Sequence, residues 1–100
     1  MKSGYSVYWT EHALNELAST IEYLENHFTE KEIGALAWQI EDVTALISQT
    51  PYLYPKSDVS GVRRAVVQKY NTLYYRVTDN QVEILSFFSN RQGPKRRKLL

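Results

Sequence analysis

The chain has 100 residues, enough for one domain of modest core and too few for a second. Hydrophobic residues make up 43% and charged residues 23%, which excludes a disordered or collagen-like chain. There is no cysteine, so disulfides, thiolate zinc sites and thiol catalysis drop out, and two histidines, His12 and His27, are too few for a histidine-rich metal centre. No apolar run approaches the roughly 18 residues of a membrane span, and the first residues lack the apolar core of a signal peptide. The expectation is a soluble, cytoplasmic domain with no cofactor and no small-molecule ligand.

The net charge of +1 hides an asymmetry. Residues 1–50 hold two lysines against eight carboxylates, for a balance of −6, whereas residues 51–100 hold ten cations against three, for +7. Such a division gives a directional field that can orient partners, although each charge taken singly also fits a solvated face.

Along the chain, Tyr5-Ser6-Val7-Tyr8-Trp9 is an aromatic, β-branched run that reads as a strand. Thr10 suits an N-cap, and Leu14, Leu17, Ala18, Ile21, Leu24 and Phe28 then follow at the spacing of a one-sided helix ending near Asn26. Thr29-Glu30-Lys31-Glu32 is a capping box, so a second helix restarts there. Ile33, Leu36, Ala37, Ile40, Val43, Thr44 and Ile47 form its stripe, and it stops before Pro51. The short connection predicts an antiparallel helical hairpin. Residues 51–61 contain Pro, Asp, Ser and Gly and read as a loop. Val62–Gln68, Thr72–Thr78 and Gln81–Phe88 then read as strands, joined by a three-residue loop, Lys69-Tyr70-Asn71, and a two-residue turn, Asp79-Asn80. The order is β-α-α-β-β-β, an α+β fold with the helical hairpin packed on one face of an antiparallel sheet.

The turns set an expected register. Tyr75 and Val77 face Ile84 and Val82 towards the helices. On the outer face Arg76 meets Glu83, Tyr74 meets Leu85 and Thr72 meets Phe87. Across the other hairpin, Arg64 meets Arg76 and Val66 meets Tyr74. The outer face then carries Val66, Tyr74, Leu85 and Phe87 among arginines, which marks a binding surface more often than bare skin. Two arginines side by side make an anion site, whereas Arg76 with Glu83 also fits an ordinary cross-strand ion pair.

These residues resemble the RelE/ParE superfamily of bacterial toxins. The resemblance rests on Trp9-Thr10-Glu11-His12-Ala13 entering the first helix, the paired Arg63-Arg64 and Tyr74-Tyr75-Arg76-Val77. It is completed by Ile84-Leu85 followed by Asn90-Arg91-Gln92-Gly93-Pro94, and it covers nearly the whole chain. It implies the toxin of a type II toxin-antitoxin (plasmid stabilisation) system, growth-inhibitory when free and neutralised by a cognate antitoxin. RelE-like members cleave mRNA at the ribosome through the 2′-hydroxyl, without a metal, and ParE-like members inhibit DNA gyrase.

Cleavage of that kind needs a base, a cation for the phosphate and an acid for the leaving oxygen. Arg64, Arg76 and Arg91 are the candidate cations, and Tyr70, Tyr74 and Tyr75 the candidate proton carriers or base-stacking groups. RelE-like enzymes often close with a tyrosine or a His-Tyr pair, and residues 89–100 have neither. The ParE-like branch is therefore favoured. Arg64, Arg76, Arg91 and the tail Lys95, Arg96, Arg97 and Lys98 would then bind the target, while Val66, Tyr74, Leu85 and Phe87 would bind the antitoxin. A ribosome-dependent endoribonuclease and a degenerate toxin that only binds its antitoxin stay open.

Overall fold

The computed structural model describes residues 4–90. Among them, β1 (Ser6–Trp9), α1 (Glu11–His27), α2 (Glu30–Gln49), β2 (Arg63–Val67), β3 (Asn71–Thr78) and β4 (Gln81–Ser89) follow in the expected order. Both helix starts are built as the residues indicate. The Thr10 side chain accepts from the Ala13 N–H, and Thr29 with Glu32 closes the capping box. Those hydrogen bonds from Thr29 hold the Glu32 carboxyl below its usual pKa.

The sheet order is β1-β4-β3-β2, and it is mixed rather than antiparallel throughout, because β1 lies parallel to β4. The helical hairpin explains this. It returns the chain to the start of β1, where the Tyr5 N–H donates to the Ser48 carbonyl and the Ser48 hydroxyl donates to the Tyr5 carbonyl. The loop carries the chain on to β2, and two antiparallel steps, β2 to β3 to β4, reverse its direction twice. Strand β4 thus runs beside β1 in the same sense.

The main core lies between the helices and one sheet face. Leu24, Leu36, Ile47, Leu73, Tyr75, Ile84 and Phe87 are all at most 2% exposed there. The helical stripes divide their duties. Ala13, Thr20 and Leu24 of α1 are buried, whereas Leu14 is 50% exposed. Leu17, Ile21, Ile33, Leu36, Ala37 and Ile40 line an apolar groove between the two helices, about 190 Å³ in volume.

Two features shift the expected register. The β2–β3 loop is Gln68-Lys69-Tyr70, with Gln68 in the left-handed conformation (φ 60°), and Asn71 is already a buried strand residue. Its side-chain amide donates to the Val67 carbonyl at 3.2 Å, which closes the loop one residue early. Arg64 therefore stands opposite Tyr74, not Arg76, and Val66 opposite Thr72. Second, a bulge interrupts β3–β4 pairing: Tyr75 pairs with Ile84, but Tyr74 pairs with Ser86. The extra residue turns the rest of β4 over, so that Phe87 pairs with Leu73 and enters the core instead of facing outward.

The bulge is held from α1. One oxygen of Glu16 accepts from the Ser86 hydroxyl at 2.7 Å and from the Phe87 N–H at 2.8 Å. The His12 ring nitrogen lies 3.3 Å from the same oxygen.

Leu36→Ala should cost about 2–5 kcal/mol and Leu14→Ala under about 1 kcal/mol in urea unfolding, because only the first leaves a cavity. Glu16→Ala should cost about 1–3 kcal/mol, since it strands the Ser86 hydroxyl and Phe87 N–H in the interior. Equal midpoints for Glu16→Ala and wild type would remove the bulge anchor.

Candidate functional site

The outer sheet face begins with Arg64 and Arg76, both exposed. Arg64 is opposite Tyr74 and Arg76 lies two residues further along β3, so the pair are diagonal neighbours with roughly 7–8 Å between their backbones. The spacing is wider than a directly opposed pair, and the like-charge contact expected from the turn is relaxed. Arg76 Nε donates to Glu83 Oε1 at 2.9 Å, so its charge is matched within the sheet. Two exposed ion-pair partners of this kind contribute a few tenths of a kcal/mol.

The apolar part of this face is mostly covered by the chain itself. Tyr74 is 6% exposed and packs with Val62 and Phe88, and Val59 and Leu85 lie against them. The covering residues come from the segment between α2 and β2, which the Arg64 N–H binds through the Pro55 carbonyl at 3.0 Å. Of the four expected antitoxin contacts, Val66 is open (55% exposed), Leu85 is half-buried, Tyr74 is covered and Phe87 belongs to the core. Nothing in the composition of residues 51–62 separates a loop that leaves the sheet from one that folds over it.

Of the candidate proton carriers, Tyr74 stands opposite Arg64 but is covered, and the other two are placed apart from the arginines. Tyr70 sits in the β2–β3 loop, 41% exposed, with Lys69 Nζ 5.6 Å from its ring centre. It lies four positions before Tyr74, the partner of Arg64, a distance of about 13 Å along the strand. Tyr75 faces the helices and is fully buried, its hydroxyl donating to the Pro51 carbonyl at 2.6 Å and its ring edge-on to Tyr54 at 6.5 Å. Burial pushes its pKa up to about 12, against a smaller opposing pull from Arg63. His12 and His27 are both on α1, where His27 stacks on Tyr23. Arg91, Lys95, Arg96, Arg97 and Lys98 lie outside the described residues. Among the described residues, then, the outer face offers cations, the open side chains of Val66 and, on β1 opposite Glu83, Tyr8 (51% exposed), with Glu83 committed to Arg76. It is suited to holding an anionic or acidic surface.

No protein-family model matches the sequence, and no curated protein is significantly similar to it. Solved structures do share the fold. A chain of the chromosomal ParDE TA system from P. aeruginosa superposes with a TM-score of 0.70 at 22% identity, over 85% of this chain and 95% of that one. Two structures of the E. coli DinJ-YafQ toxin-antitoxin complex match with TM-scores of 0.56 and 0.53, each at 14% identity. They cover 90% and 88% of this chain and 97% and 96% of theirs. Two helices on a mixed sheet in β-α-α-β-β-β order make this the RelE/ParE-type fold, as the sequence resemblance implies.

The raised pKa of Tyr75 has a measurable sign. Below pH 10 the phenol is neutral in the folded and unfolded chains; between pH 10 and about 12 only the unfolded chain ionises. Stability should fall as pH rises through that window, by about 1.4 kcal/mol per unit at most. Urea titrations at pH 9 and 11 should show the drop, and Tyr75→Phe should remove most of it.

Proposed function

We propose that this chain is the toxin of a type II toxin-antitoxin pair, held inactive by a cognate antitoxin and acting on DNA gyrase by binding. The observation that carries this reading is that none of the candidate tyrosines stands open beside the outer-face cations, since Tyr74 faces Arg64 but is covered by Val62 and Phe88. Arg64 and Arg76 share the outer face, while the Tyr75 hydroxyl is turned to the opposite side and bonded to Pro51. Cleavage through a 2′-hydroxyl needs an acid and a base beside the phosphate cation. A binding toxin needs only the charge. The better superposition on the ParDE structure than on DinJ-YafQ favours the same branch. Such a protein would work in the cytoplasm, inhibit growth when free and stabilise the plasmid or chromosomal region that encodes it.

The antitoxin would be an acidic, amphipathic segment. Val66 and Arg64 on the five-residue edge strand β2 offer it an apolar contact and a cation. The groove between α1 and α2 offers a helix an apolar floor. The tail residues Lys95 to Lys98 and Arg91 would add charge for the target.

Purified chain should inhibit supercoiling by gyrase and leave mRNA on translating ribosomes intact. Arg64→Ala should weaken gyrase inhibition in a graded way, and the difference from wild type should shrink as salt rises past about 0.15 M. Ribosome-dependent mRNA cleavage by the wild-type chain, lost in Arg91→Ala, would replace this reading with the endoribonuclease one. Val66→Glu should weaken antitoxin binding in calorimetry without changing the toxin's thermal midpoint.

A further inference from the structure

A second cationic site stands on the other side of β2. Arg63 and Arg64 are strand neighbours, so their side chains leave opposite faces, and Arg63 goes to the corner where the segment after α2 meets the sheet. An isolated antiparallel bridge places Lys56 directly opposite Arg63, and the Ser57 N–H bonds the Val62 carbonyl at 2.8 Å. Like charges at directly opposed positions are unfavourable by themselves. Both cations line a cleft of about 350 Å³, a volume in the range of small-ligand pockets, and no carboxylate among the described residues lines it.

Arg63 is held in place rather than solvated. Its Nη1 donates to the Tyr54 carbonyl at 2.6 Å and to the Tyr52 carbonyl at 3.4 Å, and the guanidinium lies 5.1 Å from the centre of the Tyr52 ring. The other three N–H groups of the fork make no bond to a described residue. A fixed fork with spare donors beside a lysine matches the oxygens of a phosphate better than a single carboxylate. The Ser60 hydroxyl adds a donor at the wall. Beside the cations, Tyr52 is 60% exposed, and Val59 and Val77 supply apolar wall. Exposed aromatic surface next to a cation pair is suited to a base stacked beside its own phosphate.

We propose that this cleft binds a nucleoside monophosphate, with Lys56 and Arg63 on the phosphate and Tyr52 against the base. The site is separate from the outer-face arginines assigned to the toxin's target, and it stands or falls independently of that assignment. Calorimetry of the full chain with AMP, adenosine and inorganic phosphate tests it. AMP should bind saturably and more tightly than either part, with an affinity that falls as salt rises. Lys56→Glu should weaken AMP at least about tenfold without lowering the thermal midpoint, because Lys56 is exposed and a carboxylate there faces Arg63. Tyr52→Ala should bring AMP down to the level of inorganic phosphate. No saturable heat with AMP, equal binding of AMP and phosphate by wild type, or wild-type affinity in Lys56→Glu would each overturn the proposal. None of these outcomes bears on gyrase inhibition.

Discussion

The structure turns on one carboxylate. Glu16 reaches from α1 to the point where β4 carries an extra residue, and it takes the N–H and hydroxyl that the interrupted ladder leaves over. A bulge buried under a helix strands polar groups unless something accepts from them. With Glu16 in place, the far half of β4 turns over, Phe87 drops against Trp9 and Leu73, and Phe88 faces outward beside Tyr74. Both the inner core and the small outer cluster follow from that turn.

Much of the fold is legible in the residues. Thr10 and the Thr29–Glu32 box mark the helix starts, Pro51 marks the end of α2, and Asp79-Asn80 makes a turn with Asp79 at φ 48°. These signals are local, and each is carried by a few adjacent side chains. The bulge is different. Its cause is the meeting of Glu16 with Ser86 and Phe87, about seventy residues away in sequence, and nothing in β4 alone advertises it. The β2–β3 loop fails more narrowly, because Asn71 suits a left-handed position as well as it suits the buried one it occupies, and Gln68 takes the positive φ instead. A loop displaced by one residue at each end moves every cross-strand partner by two, which keeps faces but changes neighbours. Arg64 and Arg76 thus share a face as their spacing implies, and the opposition between them does not form.

The segment between α2 and β2 accounts for what the sequence hides of the site. It carries few signals beyond Pro and Gly, yet it does two things. Val59 and Val62 close over Tyr74 on the outer face, and Lys56 is bridged to Arg63 at the corner. The paired Arg63-Arg64 therefore serves two faces and not one: consecutive residues on a strand, met on each side by different neighbours. Residue counts place the two arginines together, and only the pleat and the crossing loop tell them apart.

The parallel contact of β1 with β4 has a consequence for how the chain assembles. Ser6 to Trp9 pair with Gln81 to Ile84, so the first strand made waits some 75 residues for its partner. The helical hairpin and the two β-hairpins close over short stretches, whereas β1 is joined to its partner across some 75 residues. During synthesis the apolar flank of β4 takes shape only when that strand emerges, and until then Val7 and Trp9 have no sheet to join. Among the strand pairings, that of β1 with β4 therefore closes the longest stretch of chain and carries the largest loop-closure cost.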